Sequence, residues 1–306
     1  MAYTDTYSQP DAPDPVLSED RVLELARAHS PSVRRLTAVD ESGGEARAYM
    51  CDEDVVVKTQ RPPQLRPRTS LEKEAFILAH IAEQVSVPVP RVLGYGREED
   101  VEYLVMTRIP GMALEQVSLA LPARVAVLEA LGATLRMIHQ IDQSAMVSSS
   151  LIPGDSSAGE LRQRVTAGFE DTFASLGTDP RWAEEIDLTA VAERCLAELP
   201  AETSTVTLHS NPGPEHCFVD PDSSTFTGLI DFGDAYRSHP ALDVRSWFSL
   251  DDSRYMLAGY RSLGPLPEDF DAVWRAGLLL TELRLAARGY REPGAVARTI
   301  SDLLPI

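Results

Sequence analysis

The sequence predicts an α+β fold in two lobes, a small antiparallel sheet plus one helix followed by a larger, mainly helical lobe. Three patterns indicate this fold. Residues 33–58 alternate short β-rich segments with turn residues, which is typical of an antiparallel meander. After residue 111, apolar residues recur at helical spacing. Strand-like segments then return only briefly, between residues 204 and 232.

Residues 18–108 are expected to form the first lobe, after a flexible tail at residues 1–17 that is rich in Pro, Asp and Ser. Ser18 can cap a first helix. Three β-rich segments follow, separated by turn residues. Thr69–Glu72 reads as a capping box, which predicts the start of another helix, and two further strands run up to Pro110.

Residues 109–306 are expected to form the second lobe, with helices in most of its length. One long helix carries an apolar face formed by Leu128, Leu131, Leu135 and Ile138. Two helical segments are expected within residues 158–200, and further helices run to the C-terminus. A cleft between two such lobes is a favoured site for a small molecule.

The charge of the chain narrows the classes of partner. The sequence has 28 Lys+Arg against 47 Asp+Glu, a net charge of −19. Such acidity argues against nucleic-acid binding, which requires cations to neutralise phosphates, and against anionic membrane surfaces. It leaves two readings open, plain solubility or attraction of a cationic substrate.

The cysteines and the N-terminus point to the cytoplasm. Cys51, Cys195 and Cys217 are too few and too scattered for a disulfide framework, and their spacing does not suggest zinc. No apolar run has membrane-spanning length. The first fifteen residues lack the basic and apolar regions of a signal peptide.

The strongest functional signal lies between residues 208 and 233, where two strands flank a polar loop. The loop reads HSNPGPEHC from His209, and the second strand ends in Asp231-Phe232-Gly233. Phosphoryl transfer needs a group that orients the attacking hydroxyl, ligands for magnesium and a cation on the phosphates. The protein-kinase pattern is H-R-D-x-x-x-x-N followed by D-F-G, and this loop matches its spacing with Asn211 and His216 at the two variable places.

On these residues the chain resembles the aminoglycoside phosphotransferase family, the small-molecule branch of the protein-kinase-like fold. The loop of that family typically reads HGDLHPGNVLVD, followed by IDFGDA; here the segments read HSNPGPEHCFVD and IDFGDA. Similarity continues in the same order through SGG, VVVK, LEKEA, VPVPRVLGYG, YLVMTRIPG and LRMIHQID, over nearly the whole chain. The resemblance implies transfer of the γ-phosphoryl of ATP or GTP, with Mg²⁺, to a hydroxyl of a small molecule, with an antibiotic as the favoured acceptor.

The resemblance also implies a nucleotide site in the first lobe. Lys58 would hold the α- and β-phosphates. Glu74 is preferred to Glu72 as its partner, because it borders the buried face of its helix and Glu72 is assigned to the capping box. Backbone groups would complete the site, those near the phosphates at Ser42, Gly43 and Gly44 and those near the base at Met106, Thr107 and Ile109.

In the second lobe the resemblance assigns catalysis to His209, Asn211 and Asp231, and the metal to His216 and Asp231. Asp243 matches a family position that we interpret as structural support for the loop. His139 matches another, which we interpret as a core histidine.

Two departures from the family pattern bear on activity. The catalytic aspartate falls on Asn211, whose amide can orient a hydroxyl but cannot accept its proton. The metal-binding asparagine falls on His216, as in macrolide-phosphorylating members. An imidazole can still bind magnesium, although oxygen is the better match. Ser210, which replaces the usual glycine, reads as a minor change.

Three explanations of Asn211 remain open. The chain is a naturally inactive binder, or an enzyme whose base lies elsewhere or is not needed, or an active enzyme whose aspartate was deliberately changed to asparagine. The third is favoured, because the other catalytic parts are intact and the exchange is nearly isosteric.

The acceptor is not identified by any motif. Residues 151–200 contain ten Asp or Glu residues against four Arg, and we hypothesise that some of these acids face the cleft and bind an amine-bearing acceptor. For most of them, a solvated helix face is the simpler reading. The alternatives to an antibiotic phosphotransferase are a non-catalytic nucleotide or antibiotic binder and a metabolic kinase acting on a small alcohol or sugar.

Overall fold

A five-stranded antiparallel sheet forms the first lobe in the computed structural model, which describes residues 7–98, 101–176, 182, 187–245 and 249–304. Its strands lie in the order β1-β2-β3-β5-β4. They are β1 (Leu36–Asp40), β2 (Ala46–Cys51), β3 (Val55–Gln60), β4 (Val92–Glu98) and β5 (Val101–Thr107). Helices α1 (Glu19–His29) and α2 (Leu71–Gln84) pack on the sheet.

The two faces of this sheet have different partners because side chains alternate along each strand. Val55 and Val57 pack in the cluster that includes α1. Val56 faces the other way, into the cluster that includes α2 and the second lobe. Lys58 follows Val56 at the same alternation and therefore points toward α2 and the cleft.

The second lobe is mainly helical and contains two small sheets, β6-β8-β9 and β10-β7. In chain order its elements are β6 (Met112–Ala113), α3 (Leu121–His139), α4 (Ser144–Ser148), α5 (Ala158–Leu176), α6 (Leu188–Glu198), β7 (Val206–Leu208), β8 (Cys217–Asp220), β9 (Thr225–Leu229), β10 (Tyr236–Ser238), α7 (Leu250–Arg261), α8 (Phe270–Ala287) and α9 (Pro293–Leu303). The polar loop predicted to carry chemistry connects β7 to β8.

Close helix packing fixes the scaffold behind this loop. Helices α3 and α7 meet through Gly132 and Gly259, where a Cβ atom would collide with the backbone oxygens of Met256 and Glu129 respectively. The apolar side chains of α3 and α8 join those of α2 and β3 in one continuous core. The predicted α+β architecture, with a sheet-rich and a helical lobe, is confirmed.

Local details of the prediction differ in part from the structure. Ser18 caps α1 as predicted, accepting a hydrogen bond from the N–H of Arg21 at 3.4 Å. The predicted capping box is wrong: Ser70, not Thr69, caps α2 by accepting from the N–H of Lys73 at 3.3 Å. Glu72 instead pairs with Arg97 at 3.1 Å. Glu72 is therefore not a capping residue, and the capping box gives no reason to prefer Glu74 to Glu72 as the partner of Lys58.

The end of the predicted flexible tail is attached to the sheet. Asp14 pairs with Arg47 at 3.0 Å and with Arg61 at 2.7 Å. The N–H of Leu17 donates to the Tyr49 hydroxyl at 2.8 Å. Because the Arg47 side chain is almost fully buried, it needs such a counter-charge, and this segment supplies one.

All three cysteines are buried free thiols. Across the described parts of the chain, the helices are too short or too polar to cross a membrane.

Candidate active site

A cavity of about 780 Å³ lies between the lobes, and all the predicted site residues except His209 line it. The first lobe contributes the β1–β2 turn, β3 and α2, and the second contributes the β7–β8 loop and the segment after β9. Another cavity, of about 580 Å³, lies among α7, α8 and α9 and contains none of the predicted residues. The volume between the lobes is within the usual range for small-molecule sites.

Lys58 links the two lobes across this cavity. Its Nζ lies 2.7 Å from Oε2 of Glu74 and 2.7 Å from Oδ1 of Asp231. Burial alone would lower the pKa of Lys58, but the charges of Asp231 and Glu74 outweigh it and raise that pKa above its ordinary value. Lys58 is therefore a permanent cation at the wall of the cavity.

Glu74 reaches Lys58 because it lies on the inner face of α2. Leu71, Ala75 and Leu78 share this face with it at helical spacing, and Glu74 is fully buried. Its other oxygen, Oε1, accepts a hydrogen bond from the N–H of Phe232 at 3.3 Å. One glutamate thus holds both the lysine and the segment that carries Asp231.

Asp231 follows β9 and has a positive φ of 70°, a backbone conformation that non-glycine residues rarely adopt. Such strain is concentrated at functional sites, where the surrounding contacts maintain it. Burial would raise the pKa of Asp231, but Lys58 and His216 hold it well below its usual range. The carboxylate is therefore ionised and partly open to the cavity.

His216 faces Asp231 from the β7–β8 loop. Its Nε2 lies 3.2 Å from Oδ2 of Asp231, and its Nδ1–H donates to the carbonyl of Asn211 at 2.8 Å. Burial would lower the pKa of His216, but the hydrogen bond and charge of Asp231 raise it to about 9. The ring orientation is thus fixed from both sides.

Asp231 and His216 are the residues that would hold a magnesium ion. His216 would bind the metal only after losing the Nε2 proton, which it now donates to Asp231 at 3.2 Å. In the described part of the chain, no three His, Cys, Asp or Glu side chains are grouped as metal ligands. Two protein ligands suit magnesium, which is usually held by one or two protein groups together with phosphates and water.

His209 does not reach the cavity, which corrects its assignment as a catalytic residue. It is 1% exposed, and its Nε2–H donates to the carbonyl of Ile230 at 2.8 Å. Its Nδ1 accepts from the N–H of Asn211 at 3.3 Å. Burial lowers the pKa of His209, so the ring is neutral and holds the loop against the strand that precedes Asp231.

Asp243 supports the same loop through hydrogen bonds, as predicted. Its two carboxylate oxygens accept from the N–H groups of His209 and Ser210 at 2.6 and 2.7 Å. His139, also predicted to be a core residue, is buried; its Nε2 donates to Asp243 at 3.1 Å and its Nδ1 lies 2.9 Å from the Tyr260 hydroxyl.

The β1–β2 turn was expected to place the backbone groups of Ser42, Gly43 and Gly44 near the phosphates, but the N–H of Ser42 already has a partner within the turn. Both the N–H and the hydroxyl of Ser42 donate to Oδ1 of Asp40, at 2.9 and 2.6 Å. These donors are therefore engaged within the turn. Gly43 is required there because a Cβ would lie 2.6 Å from the carbonyl oxygen of Ala46, whereas Gly44 borders open space.

The acids proposed to bind an acceptor are not in the cavity where the structure describes them. Asp155 is buried and pairs with Arg164 at 2.8 Å. Glu198 pairs with Arg275. Three of the ten lie outside the described residues, namely Asp179, Glu184 and Glu185. The acids that do line the cavity are Asp40, Glu45, Glu74, Glu115, Glu215, Asp231 and Asp234, against the cations Lys58, Arg66 and Arg108.

Sequence reasoning missed Lys73, which is 1% exposed beside Glu74. Its Nζ donates to the carbonyl of Ala235 at 2.8 Å and also to that of Arg68. It therefore joins α2 to the segment that follows Asp231. Composition held a signal: the chain contains just two lysines, Lys58 and Lys73, and both are at this site.

Replacing Lys73 with methionine is expected to lower the free energy of unfolding by about 1–3 kcal/mol, because two carbonyls lose a buried donor. Nucleotide affinity should also fall, because α2 is no longer fixed to the segment that carries Asp231. Urea unfolding and a nucleotide titration measure both effects. Glu72→Gln, on the exposed side of the same helix, is the matched control and should change stability by less than about 0.5 kcal/mol. Equal stability and affinity in Lys73→Met and the parent protein would contradict this role.

Comparison with known proteins gives relatives along most of the chain. A family model described as "Phosphotransferase enzyme family" matches residues 35–290. An aminoglycoside 3'-phosphotransferase of Streptomyces fradiae is 27% identical over 206 residues, which cover 64% of this chain and 72% of that protein.

Solved structures match the fold at lower identity. The GDP complex of aminoglycoside 2'-phosphotransferase-IIIa matches with a TM-score of 0.64 at 16% identity, covering 94% of this chain and 97% of that one. The macrolide 2'-phosphotransferase of Brachybacterium faecium gives 0.59 at 19% identity, covering 94% and 99%. A ternary complex of streptomycin, ATP and APH(2")-IIa gives 0.57 at 17% identity, covering 95% and 97%.

Proposed function

The chain belongs to the phosphotransferase enzyme family, and from this premise we propose that it transfers the γ-phosphoryl group of ATP or GTP to a hydroxyl of a small-molecule antibiotic. One observation supports this above the others. Glu74, Lys58, Asp231 and His216 form a continuous chain of charged contacts along the wall of the cavity between the lobes. Phosphoryl transfer in a kinase-like site relies on such a Lys–Glu ion pair and on an aspartate that binds the metal.

Lys58 is the cation that would hold the α- and β-phosphates, and Glu74 keeps it in place. The N–H groups of Thr107 and Arg108 already donate to the carbonyls of Arg91 and Asp54, at 2.9 and 2.7 Å. A nucleotide base would therefore contact the carbonyl oxygens of the segment from Met106 to Ile109 rather than those two donors. Similar proteins are described as complexes with GDP and with ATP, so both nucleotides are candidates.

Magnesium would be held by Asp231 and His216, and when bound it supplies positive charge on the phosphate oxygens. The need for that charge is strong here. Seven carboxylate residues and three Lys or Arg residues line the cavity. Since the nucleotide is itself an anion, Lys58 and its neighbours cannot neutralise both the wall and the phosphates.

The acceptor hydroxyl would approach from the side of the β7–β8 loop. Asn211 lines the cavity there, and its backbone is fixed by His209 on one side and His216 on the other. Its amide can orient a hydroxyl by hydrogen bonding. Positioning and electrostatics account for most of the catalysis in such reactions, so this geometry supports transfer with an amide at position 211.

An antibiotic acceptor is supported by the relatives rather than by a pocket of known shape. The curated relative is named an aminoglycoside phosphotransferase, and solved structures of this fold include aminoglycoside and macrolide phosphotransferases. The acidic wall of the cavity favours a cationic acceptor.

Asn211 itself favours a second candidate, a nucleotide or antibiotic binder without catalytic activity. A site that keeps Lys58, Glu74 and Asp231 would still bind a magnesium nucleotide.

A transfer assay tests the proposal. The protein is incubated with ATP or GTP, magnesium and a panel of aminoglycosides, macrolides, simple sugars and small alcohols, and products are identified by the mass gain of one phosphoryl group. We expect modification of at least one antibiotic. Modification of sugars or alcohols alone would favour the metabolic kinase. Nucleotide binding without transfer, in the parent protein and in Asn211→Asp, would favour the binder.

A further inference from the structure

The segment between β3 and α2 carries two arginines to which the proposed function gives no role. It reads RPPQLRPR from Arg61. Nε of Arg66 lies 3.0 Å from Oε1 of Glu45. Nε of Arg68 lies 3.4 Å from Oδ1 of Asp234. Arg66 and both acids line the cavity between the lobes. Arg66 is therefore a cation in the wall of the proposed nucleotide site.

The backbone that presents Arg66 is fixed within this segment. Its N–H donates to the hydroxyl of Thr69 at 3.3 Å. The N–H and the hydroxyl of Thr69 in turn donate to the carbonyl of Arg66, at 3.1 and 3.2 Å. Pro67 restricts the residue before it to extended conformations. A new partner for Arg66 would therefore require movement of its side chain rather than of the segment.

Strand pairing places the contact between Arg66 and Glu45 beyond Lys58, as seen from the nucleotide base. Met106, at the expected base site, pairs with β3 two residues before Lys58. The N–H of Arg61, three residues after Lys58, donates to the carbonyl of Glu45 at 2.9 Å. Three residues of strand span about 10 Å. A triphosphate that begins at the base and passes Lys58 would therefore direct its terminal phosphate toward Glu45 and Arg66.

Glu45 lies among other carboxylates at this end of the cavity. Burial raises the pKa of Glu45, and the charges of Asp234 and Asp231 raise it further, against the opposing charge of Arg66. The Glu45 side chain is 26% exposed, so solvent screens its charge only in part. An incoming phosphate would meet repulsion from Glu45 and attraction from Arg66.

The contact between Arg66 and Glu45 can be exchanged. It is an ion pair without the alignment of a hydrogen bond, and the Arg66 side chain is 28% exposed. A guanidinium can form two parallel hydrogen bonds with a phosphate, which is a stronger contact. Lys58, by contrast, is held at 2.7 Å by both Glu74 and Asp231. Arg66 is thus better suited than Lys58 to change partners.

We propose that Arg66 binds the terminal phosphate of the nucleoside triphosphate and that Glu45 competes with this phosphate for the arginine, an inference that rests on the proposed phosphotransferase function. The guanidinium leaves the Glu45 carboxylate and donates hydrogen bonds to the phosphate oxygens, while Lys58 holds the α- and β-phosphates. No covalent bond changes in this step. Arg66 thereby adds positive charge at the γ-phosphoryl group, where charge is redistributed during transfer.

Nucleotide binding tests the proposal, using ATP or GTP, whichever the parent protein binds more tightly, and the corresponding nucleoside. Arg66→Gln should lower the affinity for the triphosphate by about 10- to 100-fold, because a charged hydrogen-bonded contact is lost. The affinity for the nucleoside, which has no phosphates, should change by less than about twofold. Glu45→Gln should raise the affinity for the triphosphate by about 3- to 10-fold, because a repulsive charge is removed and Arg66 is released from it.

Exposed ion pairs of the same lobe supply the controls. Arg35→Gln and Glu24→Gln each remove one charge from such a pair, and both should match the parent. The opposite signs expected for Arg66→Gln and Glu45→Gln separate ligand binding from a structural role. A pair that only held the β1–β2 turn would be broken by either substitution, and both variants would lose nucleotide affinity and stability in urea together.

Loss of triphosphate affinity in both variants would therefore overturn the inference and leave the proposed function intact. So would equal triphosphate affinity of Arg66→Gln and the parent, or an equal loss of affinity for the triphosphate and for the nucleoside. Absence of nucleotide binding by the parent protein would contradict the proposed function itself, and the inference with it.

Discussion

Phosphoryl transfer is expected to fall at least about 10³-fold when Asp231 is replaced with asparagine, an effect comparable to removing other groups that stabilise transition-state charge. Asp231 is the residue where the charged contacts of the site meet, with Lys58 at 2.7 Å and His216 at 3.2 Å. An amide at this position cannot neutralise either cation or supply an anionic oxygen to magnesium.

The same substitution should leave nucleotide binding in place but remove the dependence of nucleotide affinity on magnesium. Lys58 keeps its pairing with Glu74, so the phosphates retain a cation, but the gain in nucleotide affinity on adding magnesium should be lost. Asp222→Asn is the matched control, since it makes the same chemical change in the exposed turn between β8 and β9. Measurement of kcat and of nucleotide affinity with and without magnesium checks both expectations. Turnover above about one tenth of the parent value would contradict the role of Asp231.

The positions of Lys58 and Asp231 could be predicted because each depends on a short local pattern. Lys58 lies within β3, directly after the buried residues 55–57, and Asp231 follows β9. The alternation of side chains in β3 then places Lys58 on the face shared with Val56. The helical spacing of Leu71, Glu74 and Leu78 likewise predicts that Glu74 faces inward.

Other features could not be predicted because they depend on backbone geometry or on contacts distant in sequence. Ser210 reads as a minor exchange, yet it has a φ of 79°, a conformation that costs a non-glycine residue about 1–2 kcal/mol. A hydrogen bond from its N–H to Asp243, 33 residues away, helps to hold it there. The bond from Lys73 to Ala235 spans 162 residues. The burial of His209 likewise follows from the shape of the loop, which the order of its residues does not reveal.

The acidity of the chain has a more specific meaning once the site is known. The seven described acids in residues 151–200 all lie outside the cavity, in ion pairs, helix caps or exposed positions. The acids that line the cavity come instead from the β1–β2 turn, α2 and the loops around Asp231. A net charge of −19 therefore neither identifies the acceptor nor excludes an anionic nucleotide, because a lysine and a metal ion at one point can outweigh a distant surface charge.

Replacing Asp243 with alanine is expected to cost about 3–5 kcal/mol of the free energy of unfolding, the range found when one member of a buried charged network is removed. Asp243 is fully buried and accepts three hydrogen bonds, from His139 and from the N–H groups of His209 and Ser210. Alanine would leave these donors without an acceptor, and the strained backbone at Ser210 would lose its support. Urea unfolding measures the loss, and Asp251→Ala, an exposed member of an i,i+3 pair, should cost less than about 0.5 kcal/mol.

The dependence of this loss on pH follows from the ionisation of Asp243. Burial would raise its pKa, but the hydrogen bond and charge of His139, with His209, hold that pKa below its ordinary value. The stabilisation is therefore fully present above the pKa of an unfolded aspartate, about 3.9, and is lost as pH falls through the lower pKa of the folded state. The difference in unfolding free energy between the parent and Asp243→Asn should not shrink between neutral pH and about pH 5, and should shrink only in stronger acid. A difference that already shrinks between pH 7 and 5, or a cost below about 1 kcal/mol for Asp243→Ala, would show that the loop does not depend on an ionised carboxylate at this position.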